Sequence, residues 1–215
     1  MRTSGEAPPD VVGVLDLPAR ARRLLGSDRR VMVGITGAPG AGKSTVAASL
    51  VSALGDEAVA VPMDGFHLTD QELARLGRAE RKGAPDTFDV AGFAAALRRV
   101  REESDHTVYL PEFDRSAEMS VAGAIAVRPS HRLVVTEGNY LLLEAPGWRE
   151  IRPLLDEVWY VETDEPTRMA RLVRRHIAHG KSPEAAQRWA TRSDQANAEL
   201  IVQSRCAADV LVKVD

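Results

Sequence analysis

The chain of 215 residues holds a single cysteine, Cys206, which excludes an intramolecular disulfide and a thiolate metal cluster; it reads as a reduced, partly buried thiol of a cytoplasmic protein. No apolar run approaches the roughly 20 residues that span a bilayer, and the polar start Met1–Asp10 lacks the apolar core of an export signal, so neither membrane segment nor leader is expected. Aromatic side chains are few, at four Phe, three Trp and three Tyr, and the formal charge is −3. Such a chain lacks the basic field and the stacking surfaces that nucleic acid requires. Lysine is scarce as well: apart from Lys43, Lys82, Lys181 and Lys213, all 28 basic residues are arginine, so an arginine cluster must be judged against that background. What is present, 44% hydrophobic and 27% charged residues, suits one domain with a buried core and is too little for two.

Residues 1–12 read as a flexible tail and Leu15–Leu25 as a lead-in helix with Leu17, Ala21, Leu24 and Leu25 on one face. Short apolar runs at 31–36, 58–62, 107–110, 132–136, 157–161 and 210–214 read as strands. Between them, 44–54, 91–101, 165–178 and 183–206 have helical periodicity. Strands that alternate with helices predict an α/β, three-layer fold around a mainly parallel sheet. The one basic concentration is at 165–192, where seven Lys and Arg face two Glu.

Gly37-Ala38-Pro39-Gly40-Ala41-Gly42-Lys43-Ser44 fits G-x-x-x-x-G-K-[ST], after an expected strand and at the opening of an expected helix. Glycines let successive N–H groups converge on phosphate oxygens, and the helix N-terminus adds a favourable dipole. Lys43 reaches the β- and γ-phosphates, and the Ser44 hydroxyl ligates Mg²⁺. Thr45 is either a second phosphate contact or simply part of the helix start.

A phosphate loop serves switches, motors and kinases alike. Asp89-Val-Ala-Gly92 imitates the D-x-x-G of a GTPase, but it follows the turn-like Lys82–Asp86 and not a buried strand, and no N-K-x-D follows. Transfer to an acceptor hydroxyl needs a carboxylate, a metal and cations around the moving phosphoryl group. Asp64 ends the run 59–63, at the carboxyl end of a strand where ligands of such sheets bind; the alternative is a cap on the following turn. Glu137 ends the run 133–136 and could hold Mg²⁺ or assist Asp64, against the alternative of an exposed acid beside a turn glycine. Arg168, Arg171 and Arg175 recur at i, i+3 and i+7, as a lid over phosphates or as a solvated helix face.

Together these motifs resemble the uridine kinase, phosphoribulokinase and pantothenate kinase group of P-loop kinases, over most of residues 30–205. Met63-Asp64-Gly65-Phe66-His67 resembles the group's catalytic Asp motif, and Pro85-Asp86-Thr87-Phe88-Asp89 its acceptor-side element. Glu137-Gly138 is similar to the segment that carries its second carboxylate. Leu172 stands where the uridine kinase lid has an arginine, and Pro111–Arg115 does not align with the uridine-binding segment. Ser193-Asp194-Gln195-Ala196-Asn197-Ala198 resembles a branch labelled nucleoside/nucleotide kinase-like or fructose-transport kinase, labels that mark a branch and not a substrate.

The resemblance implies a single P-loop kinase domain that uses ATP and Mg²⁺, with residues 165–192 as its lid region. Asp64 would be the base, and Lys43, Glu137, Arg171 and Arg175 would serve the transfer. The loop, Thr45 and Arg168 would bind the nucleotide, and Ser44, Glu137 and Asp64 would face the metal. Acceptor contacts would come from Phe66, His67, Phe88, Asp114 and Arg115, although Phe66, Phe88 and Phe113 read equally as core and His67 as a structural histidine. The remaining histidines lack metal-ligand spacing and carry no assigned chemistry. The partners expected are ATP and a small-molecule acceptor, with a homodimer compatible. The charged acceptor segments favour a sugar, polyol or pantothenate-like alcohol over uridine or cytidine; the other readings are a nucleoside kinase and a nucleotide sensor without catalysis.

Overall fold

In the computed structural model, which describes residues 8–26 and 29–214, the chain runs β1 (Asp10–Gly13), α1 (Leu17–Leu24), β2 (Val31–Thr36), α2 (Lys43–Leu54), β3 (Ala58–Pro62), α3 (Asp70–Arg75) and α4 (Val90–Glu102). It continues through β4 (Val108–Asp114), β5 (Met119–Val127), β6 (Leu133–Glu137), β7 (Glu157–Glu162), α5 (Glu165–Ala178), α6 (Pro183–Trp189), α7 (Gln195–Val202) and β8 (Val210–Lys213). Six strands pair in the order β1-β8-β7-β2-β6-β3, each pair parallel, as the alternation of strands and helices predicts.

Strand β2 is β-branched, apolar and buried over its whole length, as a central parallel strand must be. Its side chains alternate between two layers. Val31, Val33 and Ile35 pack with Leu17 and Ala21 of α1 and with Val46 and Leu50 of α2. Met32 packs on the other face with Phe93, Leu97 and Val100 of α4. Gly34 is where the second layer comes closest: a Cβ there would stand 2.7 Å from Leu155 Cδ1.

Four expectations need correction. Asp10–Gly13 is not the end of a tail but a strand parallel to β8, which satisfies that strand's outer edge; Arg20 of α1 holds it through Asp10 (2.9 Å) while also gripping Glu157 (2.7 Å). Residues 1–7 of the expected tail lie outside the described residues. The run 107–110 belongs not to the central sheet but to a separate antiparallel hairpin, β4 with β5, whose second strand is too rich in Gly and Ala to show a period-2 pattern. The segment 183–206 is not one helix, since its backbone widens to a π turn over Ala190–Asp194 between α6 and α7. Cys206 is exposed, because it lies in the short surface turn Arg205–Ala207 that leads into β8.

One buried cation ties the layers below the sheet's amino ends. The Arg30 side chain is 7% exposed; it donates to Val100 O at the end of α4 (2.5 Å), to Arg128 O (2.9 Å) and to His131 O (3.0 Å). Arg30→Met removes the guanidinium donors from these carbonyls, and we expect unfolding free energy to fall by about 2–4 kcal/mol. Urea denaturation should show a lower midpoint at unchanged slope; an unchanged midpoint contradicts the assignment.

Candidate active site

The carboxyl ends of β2, β3 and β6 lie side by side, because Ile35, Glu137 and Pro62 share one rung of the sheet. Residues just beyond that rung therefore meet. From β2 the chain turns through the glycine-rich loop into α2, with Gly37, Gly40 and Gly42 at φ of 147°, 82° and 97°. At Gly40 the requirement is doubly strict: φ is left-handed, and a Cβ would stand 2.7 Å from Arg168 O.

Lys43 begins α2, is 8% exposed, and donates from Nζ to Ala38 O at 3.0 Å. Burial pulls its pKa down to about 8, opposed by the Glu137 and Asp64 carboxylates and reinforced by Arg175. Ser44 Oγ donates to Glu137 Oε1 at 2.9 Å. Glu137 is also 8% exposed, and burial first, then the Asp64 charge, hold its pKa above the usual carboxylate range. Asp64 lies in the turn Met63–Phe66 beyond β3, where its Oδ2 accepts from Arg115 Nη2 at 2.9 Å.

These groups line a cavity of about 620 Å³ with Pro39, His67, Phe88, Arg115 and Arg175. His67 Nδ1 donates to Asp64 O (3.0 Å), its ring lies 4.0 Å from Phe88 and 5.1 Å from Phe113, and burial lowers its pKa. Arg171 Nη1 reaches Ala41 O at 3.5 Å, so Arg171 and Arg175 flank the loop from α5. Thr45 is exposed on the first turn of α2.

Three expected site residues lie elsewhere. Phe66 is in the core, with its ring 5.0 Å from Phe93, because the turn after β3 directs it beneath the sheet end. Asp114 caps the hairpin turn, its Oδ1 accepting from Ser116 N (2.7 Å), Ser116 Oγ (2.6 Å) and Ala117 N (3.1 Å). Arg168 is 3% exposed and committed to Glu165, Gln195 and Pro39 O, so it clamps the outer side of the loop and lines a second, smaller cavity of about 420 Å³ with Ala38 and Ala41.

Lys82, Phe113, Asn139, His176, Asp194 and Asn197 also line the large cavity, without a site role assigned from sequence. Asp194 and Asn197 lie three residues apart, one helical turn, in the segment that otherwise served only as a branch marker.

The Ser44 hydroxyl and Glu137 carboxylate are two hard oxygen donors side by side, in surroundings that hold the acid's pKa up and so favour an added cation. Among the described residues no group of three or more His, Cys, Asp or Glu could hold a metal. Mg²⁺ fits such a site, since it keeps water and phosphate oxygens as most of its ligands.

The chain matches the phosphoribulokinase/uridine kinase family over residues 32–214. A protein of Schizosaccharomyces pombe (strain 972), provisionally named a uridine kinase, is 34% identical over 216 residues, covering 95% of this chain and 92% of its own length. The crystal structure of a protein from Silicibacter sp. TM1040, provisionally described as a fructose transport system kinase, has a TM-score of 0.85 at 38% identity, covering 95% of this chain and 100% of that one. Phosphoribulokinase from Rhodobacter spheroides shares the fold at a TM-score of 0.63 and 14% identity, over 88% of this chain and 73% of its own.

The lowered pKa of Lys43 has a measurable sign. Below pH 8 the buried amine is charged and ready for phosphate; above it the free protein must take up a proton to bind. The ATP dissociation constant should therefore rise by about tenfold between pH 7 and pH 9, with proton uptake visible by calorimetry in buffers of different ionisation enthalpy. Lys43→Met should bind weakly at every pH, and a flat wild-type profile would contradict the role.

Proposed function

Because the chain belongs to the phosphoribulokinase/uridine kinase family of P-loop phosphotransferases, we propose that it transfers the γ-phosphoryl group of ATP to a hydroxyl of a small metabolite, with a sugar, polyol or pantothenate-like alcohol preferred over a nucleoside. One observation carries the reading: Lys43, Ser44, Glu137 and Asp64, brought from three strand ends, all face one cavity large enough for an acceptor beside the phosphates.

Each residue has a task that its surroundings support. The loop amides and Lys43 hold the β- and γ-phosphates. Ser44 and Glu137 hold Mg²⁺, which when bound offsets charge on the phosphate oxygens. Asp64 orients the acceptor hydroxyl and takes its proton, exchanging Arg115 for the substrate as it does so. Arg171 and Arg175 supply positive charge that counts most when the phosphoryl group is in flight, where a loose transition state spreads charge over its oxygens.

The preference for a polyol rests on what the cavity presents. A nucleobase asks for an open aromatic face, but the His67 ring packs at a tilt against both Phe88 and Phe113, and Trp189 carries the Lys181 ammonium 4.5 Å from its ring centre. The polar groups that remain suit hydroxyls, and a buried polar site discriminates against ligands that leave it unpaired. The Silicibacter protein's description as a fructose transport system kinase points the same way, whereas the fission yeast name favours the second reading, a nucleoside kinase.

Steady-state kinetics with a sugar, pantothenate and a nucleoside panel tests the acceptor class; a nucleoside kcat/KM at least about tenfold above every other acceptor overturns the preference. A product assay separates both readings from a sensor that performs no transfer. In whichever acceptor is active, Asp64→Asn should lower kcat by on the order of 10²–10⁴ with nucleotide affinity little changed. Equal loss of ATP binding would instead make Asp64 chiefly a metal ligand.

A further inference from the structure

The segment Ser193–Ala198 has no part in the transfer derived above, yet it supplies two of the most deeply buried polar side chains of the cavity wall: Asp194 is 7% exposed and Asn197 9%. Asp194 closes the π turn Ala190–Asp194, a local widening of the helix of a kind frequent at functional sites. Its Oδ2 lies 2.7 Å from His176 Nε2 on α5; a carboxylate there accepts only, so that ring nitrogen carries the proton and donates it. No other described group hydrogen-bonds to the Asp194 carboxylate. Asn197 Nδ2 donates to Gly83 O (3.4 Å), a carbonyl that also accepts from Tyr140 Oη (2.6 Å), and no described group donates to Asn197 Oδ1.

This wall therefore offers hydrogen-bond acceptors with lone pairs to spare. On the acceptor side the Lys82 ammonium is engaged with Asp70 (2.7 Å) and Glu118 (3.2 Å). Acceptor-rich surfaces bind donors, and neighbouring hydroxyls are donors that one carboxylate can hold with both oxygens or share with an adjacent amide.

We propose that Asp194, with Asn197, binds neighbouring hydroxyls of a neutral polyhydroxylated acceptor, and that His176 is the positioning residue that holds the Asp194 carboxylate for them. The inference rests on the acceptor reading above and narrows it. His176 follows Arg175 directly on α5, so the group that orients the acceptor and the arginine that flanks the phosphate loop belong to one rigid helix.

Binding can be read without turnover. Trp189 lies on the cavity wall with its ring 6.4 Å from that of His176, while Trp148 and Trp159 are buried in the core, so its fluorescence reports on this wall. Titrations use D-fructose, D-ribose and D-mannitol as neutral polyols, D-glycerate as a charged hydroxy acid, and uridine. At least one neutral polyol should saturate the wild type more tightly than D-glycerate or uridine. Asp194→Asn should raise its dissociation constant about tenfold or more with the ATP dissociation constant unchanged. His176→Leu should weaken the polyol in the same way, and His176→Gln, which keeps a donor, should restore much of the affinity; in kinetics both effects should fall on acceptor KM more than on kcat. Saturation by no neutral polyol, tighter binding of uridine or D-glycerate, or an Asp194→Asn variant with wild-type polyol affinity overturns the proposal. A polyol that binds through Asp194 but draws no phosphoryl transfer would count against the acceptor reading and leave Asp194 in place. Transfer to a polyol whose affinity Asp194→Asn leaves intact does the reverse.

Discussion

Strand β2 is hydrogen-bonded along both edges, to β6 and β7, and buried on both faces, and this confinement decides where everything at the sheet's carboxyl end can be. The loop that leaves it cannot drift. Gly37 is seated directly on β7, where a Cβ would meet Val161 O at 2.7 Å, and Arg168 holds Pro39 O from the far side. Between these supports the backbone amides are fixed before any phosphate arrives, so binding does not have to order them. The parallel register then places Asp64 and Glu137 against the same loop from two neighbouring strands, and their mutual charge is tolerated because Lys43 is buried among them.

How legible this was depends on whether a residue's role is set by its neighbours in sequence or by what packs on it. The phosphate loop is local: glycine spacing, lysine and hydroxyl all serve one turn, and the motif reads directly. Asp64 and Glu137 could be singled out because an acid after an apolar β-branched run marks a strand's carboxyl end, and the structure does bring both to the cavity. The arginines show the limit. Arg168, Arg171 and Arg175 satisfy helical spacing equally well, but α5 turns the face of Arg168 and Leu172 inward, so Arg168 becomes a buried clamp while its two neighbours stay beside the loop. Nothing in the one-dimensional spacing separates them.

Phe66, Asp114 and Asp194 were obscured for a different reason. Phe66 adjoins a site residue yet belongs to the core, since successive positions in a tight turn point to opposite sides. Asp114 looked like a charge available to substrate, but three donors of its own turn occupy it. Asp194 depends on a π turn, and one extra residue per turn rotates the following side chains by an amount that a regular period cannot anticipate. The sheet edge was hidden because β1 has only four residues, too few to establish a pattern against a polar start.

The pairing of Asp64 with Arg115 has a further consequence. Both side chains are partly exposed, at 30% and 49%, and an ion pair so open to water is worth less than about 1 kcal/mol, so exchanging it for a substrate hydroxyl costs little. Until that exchange the acid that would deprotonate an acceptor is occupied by a guanidinium, which has no proton to surrender at neutral pH. The pair also joins the turn after β3 to the tip of the hairpin, so an acceptor that took up Asp64 would leave the Arg115 guanidinium free beside it, and one weak pair would offer both of its partners to the substrate together.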